Sequence, residues 1–249
     1  MNNENIAAFA ALLQNAKSAV FFGGAGVSTE SGLKDYRSED GLYTVTNKYG
    51  VSPETILSHT FFEQNPETFY EFYHEYFLSQ AAAPNAAHNT LAKWEREGRL
   101  SAVVTQNIDG LHQAAGSKTV FELHGTVYRH HCDRCGREFP TEEVKALAGG
   151  VPRCASCGGL VHPNVVLYEE GLDEATVAGA VDAIERAELL IIGGTSLAVY
   201  PAASFLRYYR GRDVVLINKG ETPYDTRASL VFRDSIGAVL TAVDAALRG

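Results

Sequence analysis

The sequence predicts an α/β fold, a parallel sheet of about six strands covered by helices on both faces. Short apolar runs recur at 18–22, 102–105, 120–123, 163–168, 188–192 and 213–217, and most lack the alternation of a half-exposed sheet. Segments of helical period stand between them. Glycines or polar residues follow the runs, where ligands bind at the carboxyl ends of parallel strands.

Residues 5–16 place Ile6, Phe9, Ala10, Leu12 and Leu13 on one helical face. The run Ser18-Ala19-Val20-Phe21-Phe22 then stops at Gly23-Gly24-Ala25-Gly26-Val27-Ser28. A strand, a glycine cluster and a helix start form the geometry that cradles a pyrophosphate. The dinucleotide fingerprint is incomplete, because Thr29 stands at its third glycine and no acid follows about 20 residues later. A plain strand–helix turn fits as well. Residues 30–38 are polar and aperiodic, a loop in which Asp35 and Arg37 can be a surface pair. Residues 53–83 turn helical and aromatic (Phe61, Phe62, Phe69, Tyr70, Phe72, Tyr73), the composition of a core or of an apolar groove wall. A helix over 87–96 leads into Ala102-Val103-Val104-Thr105.

That run ends in four residues no core would select: Gln106, Asn107, Ile108 and Asp109. The next, Val120-Phe121-Glu122-Leu123, ends at His124. Two neighbouring strands thus deliver an amide pair, a carboxylate and an imidazole to one rim. Later runs end at Thr195-Ser196 and at Asn218-Lys219-Gly220-Glu221, completing a cleft long enough for a dinucleotide. Asn218 or Glu221 can supply the missing ribose contact. Helices over 173–186, 201–209 and 235–247 finish the fold.

Cys132-x-x-Cys135 and, eighteen residues on, Cys154-x-x-Cys157 have the paired spacing of a structural zinc site, with a redox pair as the alternative. Four thiolates close the tetrahedron and leave no position for water. The 249 residues carry a net charge of −9, which argues against nucleic-acid binding. No run is long and apolar enough for a membrane, and the N-terminus lacks a basic signal region. A cytoplasmic, monomeric protein is expected.

In order, Gly24-Ala25-Gly26-Val27-Ser28, Glu30-Ser31-Gly32, Asp35-Tyr36-Arg37, Thr105 to His112, His124-Gly125, both cysteine pairs, Gly194-Thr195-Ser196-Leu197 and Asn218 span nearly the whole chain. The chain resembles the sirtuins, NAD-dependent protein lysine deacylases, and most of all the compact bacterial ones. The resemblance implies a Rossmann-type large domain (1–34, 91–125 and 164–249), a cofactor loop and helical insertion (35–90), and a zinc module (126–163) that completes a smaller lobe. It implies that NAD is consumed as a co-substrate and that one zinc ion is structural. By motif, Gly24, Ala25, Gly26, Thr29, Asp35, Tyr36 and Arg37 hold the cofactor from the glycine loop and the segment after it. Gln106 meets the nicotinamide-side ribose, Asn107 orients ribose or water, and Ile108 with Asp109 receives the carboxamide. Thr195, Ser196, Asn218 and Ile236 hold the adenosine end and phosphates.

An acylated-lysine peptide would add as a strand between Val166-Leu167-Tyr168 and Leu197-Ala198-Val199. The acyl oxygen would attack the anomeric carbon as nicotinamide leaves, with His124 as general base on a ribose hydroxyl. A related ADP-ribosyltransferase or a non-catalytic NAD sensor are the alternatives. Gly23, Lys34, Tyr36 and Glu169 depart from the family's usual Thr, Pro, Phe and Gly. Tyr70-x-x-Tyr73 replaces the Tyr-x-x-Arg of desuccinylating members, so neutral acyl groups are expected, and Glu169 is expected to favour basic peptides.

Overall fold

A computed structural model describes residues 2–33 and 45–248. Lys34, Asp35, Tyr36 and Arg37 lie outside the described residues. The large sheet is parallel throughout, in the order β3-β2-β1-β7-β8-β9, with β1 Ala19–Gly23, β2 Ala102–Thr105, β3 Val120–Glu122, β7 Leu189–Gly193, β8 Asp213–Ile217 and β9 Leu230–Phe232. From β1 the chain builds outward to β2 and β3, then returns to lay β7, β8 and β9 on the other side. The switch point falls between β1 and β7, whose registers run Ala19↔Leu189 to Gly23↔Gly193.

Every residue of β1, β2 and β7 is buried, because helices cover both faces. Phe21, Val103, Ile191 and Val215 pack on one side with α1 (Asn3–Asn15), α6 (Ala86–Arg96) and α10 (Ile236–Ala246). Val20, Phe22, Val104, Ile192 and Leu216 pack on the other with α9 (Glu174–Arg186) and the 3₁₀ segment Ala202–Tyr208.

The sixth parallel strand is not the one expected from residues 163–168. Only residues 163–165 of that run are in a named strand, as the end of β6 (Val161–Val165), antiparallel to β4 (Gly125–Cys132) in a separate sheet of order β5-β4-β6, with β5 Glu138–Pro140. The place is taken by β9, whose three residues are too few to announce a strand. The helix expected after the glycine cluster is also absent, replaced by 3₁₀ turns at Ala25–Val27 and Thr29–Ser31.

The aromatic segment is helical but broken. A helix over 45–49 (α2) precedes α3 (Pro53–Ile56), α4 (His59–Gln64) and α5 (Pro66–Tyr73), which runs into a π turn at His74–Leu78. Phe62, Phe69, Tyr70, Phe72 and Tyr73 share one core with Val127, Val161 and Val165 of β4 and β6. The helical insertion and the cysteine-bearing segment thus share a core. The short helices α7 (Leu111–Ala114) and α8 (Thr141–Lys145) follow the site loop and β5.

Candidate functional site

A cavity of about 450 Å³ lies between the carboxyl edge of the parallel sheet and the smaller lobe. Ala25, Gln106, Asn107, Ile108, Asp109 and His124 all line it. The imidazole and the carboxylate read from two strand ends do meet in one enclosure.

The floor is a hydrogen-bonded chain. Asp109 accepts from the Ser28 hydroxyl at 2.6 Å and from Leu111 N–H at 3.0 Å. The same Ser28 oxygen accepts from Asn107 Nδ2 at 2.9 Å. Ser28, 3% exposed, thus ties the glycine loop to the end of β2. Sequence reasoning gave it no role, since the link joins residues 81 apart. Gln106 donates to Thr195 Oγ1 at 3.1 Å, coupling the ends of β2 and β7.

His124 Nδ1 lies 3.0 Å from the Gln106 carbonyl oxygen. A carbonyl only accepts, so Nδ1 carries the hydrogen, and in the neutral ring Nε2 holds the lone pair. The contact sets both the tautomer and the ring's orientation.

The glycines carry a close backbone crossing. Gly26 N–H donates to Gly194 O at 2.8 Å, and a Cβ on Gly26 would stand 2.8 Å from Gly194 Cα. At Gly194, with φ +60°, it would stand 2.5 Å from Val27 N. The small residues let two strand-end loops cross. Asn85, the N-cap of α6, braces the crossing by donating to Val27 O at 2.7 Å and Ser31 Oγ at 3.0 Å. Glu30 accepts from Ser235 Oγ at 2.8 Å and Gly237 N–H at 3.1 Å, capping the start of α10.

The other expected residues differ in exposure and partners. Thr29 is exposed and donates to Gly26 O, Ser196 is exposed, and Asn218 donates to Gly220 O. Ile236 is buried in the core under β7. Val166, Leu167, Tyr168 and Val199 line the cavity, whereas Leu197 is buried in the core and Ala198 is exposed. The N–H groups of Val166, Leu167 and Tyr168 already donate to His124 O, Glu170 Oε2 and Leu57 O. Glu169 has φ +79°, a conformation that suits glycine, and its carboxylate accepts from Thr60 N–H and Oγ1 at 2.9 and 2.7 Å. The carboxylate expected to favour basic peptides thus bonds to the first turn of α4, and Glu169 also lines the cavity.

Beneath Asp109, His88 and His112 meet edge to face with centroids 4.7 Å apart. His88 Nε2 and both His112 nitrogens are buried without a hydrogen-bond partner among the described residues. Burial holds both rings neutral, lowering His88 and taking His112 down to about 3. The unfolded chain takes up these protons near pH 6.5, so stability falls as pH drops below 6.5 toward the folded value. We expect the urea midpoint to fall more steeply between pH 7 and 5 in the wild type than in His112→Phe, by up to about 1.4 kcal/mol per pH unit in the equivalent free energy. Equal slopes would refute it.

The four cysteine sulfurs lie within 4.8 Å of one another, with Cys132–Cys157 at 3.4 Å and Cys135–Cys154 at 3.8 Å. Four Zn–S bonds of about 2.3 Å put tetrahedral edges near 3.8 Å, whereas a disulfide needs about 2.05 Å. A Cβ on Gly159 would stand 2.8 Å from Cys132 Sγ, so glycine is needed for the chain to pass this close. The residues fit a closed zinc site.

A family model described as Sir2 matches residues 24–201. The NAD-dependent protein deacetylase of Clostridium acetobutylicum is 54% identical over 232 residues, covering 93% of this chain and 95% of that protein. A solved structure of Sir2 bound to acetylated peptide superposes with a TM-score of 0.85 at 36% identity, covering 99% of this chain and 100% of that one. A Sir2–p53 peptide–NAD+ structure gives 0.84 at 38% identity, covering 95% of both chains.

Proposed function

The chain belongs to the Sir2 family, and from that premise we propose that it is an NAD-dependent protein lysine deacetylase, cytoplasmic and monomeric. One observation carries the reading: His124, oriented by the Gln106 carbonyl, opens on the same cavity as Asp109 and Asn107.

NAD, when bound, supplies the ribose carbon that accepts the acyl oxygen as nicotinamide leaves. Asp109, held by Ser28 and Leu111, presents a fixed carboxylate to the carboxamide. Ile108 lines the same pocket and excludes water from it. His124 takes a proton from a ribose hydroxyl at Nε2, the nitrogen its tautomer leaves basic. Gln106, anchored on Thr195, meets the nearby ribose, while Thr195, Ser196, Asn218 and the start of α10 at Ile236 hold the adenosine half. Leu167, Tyr168 and Val199 contribute side-chain walls to the peptide groove, since the 166–168 N–H groups are engaged within the chain.

The acyl end of the cavity is walled by aromatic side chains. Tyr73 lines it, with its hydroxyl 3.2 Å from His130 Nε2. Lys145 also lines the cavity, but it is a point charge 3.4 Å from Glu142 and offers no bidentate fork. We expect acetyl-lysine peptide with NAD to yield nicotinamide and O-acetyl-ADP-ribose by mass. Succinyl-lysine should turn over about a hundredfold more slowly, the cost of a buried carboxylate without a partner. Comparable rates would refute the acyl preference, and ADP-ribosylated protein in place of free product would refute deacetylation.

A further inference from the structure

Away from the cavity floor, a second group of metal-ligating side chains joins the two parts of the smaller lobe. His59 opens α4, His162 lies on β6, and Glu170 follows in the loop after β6. Glu170 Oε1 is 2.8 Å from His59 Nδ1 and 3.0 Å from His162 Nε2, and the three ligand atoms lie within 4.8 Å of one another. Neither the cysteine site nor the catalytic reading uses any of them.

The bonding of His162 points to a cation. Its Nδ1 is 2.5 Å from the Pro163 carbonyl oxygen, an acceptor, so Nδ1 carries a hydrogen. Its Nε2 faces a carboxylate oxygen, a second acceptor, and the side chain is only 7% exposed. A neutral imidazole has one hydrogen for these two contacts. A metal ion at Nε2 would leave that nitrogen's lone pair as ligand and the one hydrogen on Nδ1.

The surroundings are built for the ion. An imidazole whose far nitrogen donates to a backbone carbonyl is the usual support of a metal-bound histidine. Glu170 Oε2 accepts from Leu167 N–H at 2.8 Å, which aims Oε1 at both imidazoles. Two imidazoles and a carboxylate form a zinc donor set with a fourth position left for water. His59, with its side chain 42% exposed, gives access from solvent. His131 packs on His162 at 5.4 Å, and with Asp133 it forms a neighbouring group of ligand atoms that shares His162.

We propose that His59, His162 and Glu170 bind a divalent transition-metal ion, zinc in the first instance, at a site separate from the four cysteines. The ion would brace the groove wall, because His59 N–H donates to Tyr168 O at 3.0 Å and Tyr168 N–H donates to Leu57 O at 2.9 Å. Regulation of peptide binding by free zinc would follow.

The test is equilibrium dialysis of the zinc-loaded protein against buffered Zn²⁺, with metal content read per chain. The wild type should bind two equivalents, and His59→Gln and Glu170→Gln one, with the tight cysteine-bound equivalent retained. Added Co²⁺ should give the wild type visible d–d bands without thiolate charge-transfer absorption, and give His59→Gln none. His59 is half exposed, so its variant keeps the test open should Glu170→Gln fail to fold. A wild type that saturates at one equivalent overturns the proposal and assigns the cluster to a protonated clasp. A second equivalent that survives in His59→Gln overturns it equally.

Discussion

His124→Ala should abolish deacetylation, lowering kcat by about 10³-fold or more, while NAD affinity stays close to that of the wild type. The imidazole is oriented by the contact from Nδ1–H to the Gln106 carbonyl. Gln106 is in turn anchored on Thr195 through its side chain, so the loop survives loss of the ring. In the proposed mechanism the side chain removed is the base that deprotonates a ribose hydroxyl. It is not the group that holds the carboxamide, which we assign to Asp109 on its separate bonds to Ser28 and Leu111. Nicotinamide exchange should therefore outlast product formation. The measurements are product mass under single turnover and NAD binding by calorimetry. An active alanine variant would remove His124 from the mechanism, and loss of NAD binding would turn it into a binding residue.

The second large effect belongs to the cysteines. Cys154→Ser should release the structural zinc and unfold the smaller lobe. Apparent binding energies of about 10–16 kcal/mol for structural zinc match or exceed the roughly 5–15 kcal/mol that holds a domain folded. Cys132 and Cys154 are buried, and β4 and β6 around them share a core with Phe62, Phe69, Tyr70 and Tyr73. Losing the module thus removes the wall to which Tyr73 and Val127 belong. The two cores of the parallel sheet contain none of these residues, so much of the helical circular dichroism should persist. Zinc content, melting temperature and activity should fall together, and an active variant without zinc would contradict this account.

Much of the large sheet was legible because a strand buried on both faces must be apolar throughout, as β1, β2, β7 and β8 nearly are. β9 was not, because three residues between polar neighbours carry no such pattern. The run at 163–168 overlaps β6 only at 163–165, and β6 pairs in the smaller sheet, since β-branched residues encode an extended backbone and not its partner. The site followed the same division. Gln106, Asn107, Asp109 and His124 stood out as polar groups where core residues end, a local signal. Ser28 did not, since its meaning is a bond across the molecule, and the conjunction of His59, His162 and Glu170 spans more than a hundred residues.

By itself, then, the sequence determined which segments are buried and extended, which cysteines fit one metal site, and which polar residues stand at strand ends, because each of these is written within a few residues of chain. Only the tertiary structure decided which strands pair and which loops cross, and that the Gln106 carbonyl sets the tautomer of His124. Those depend on groups brought together from distant parts of the chain, and no local pattern carries them.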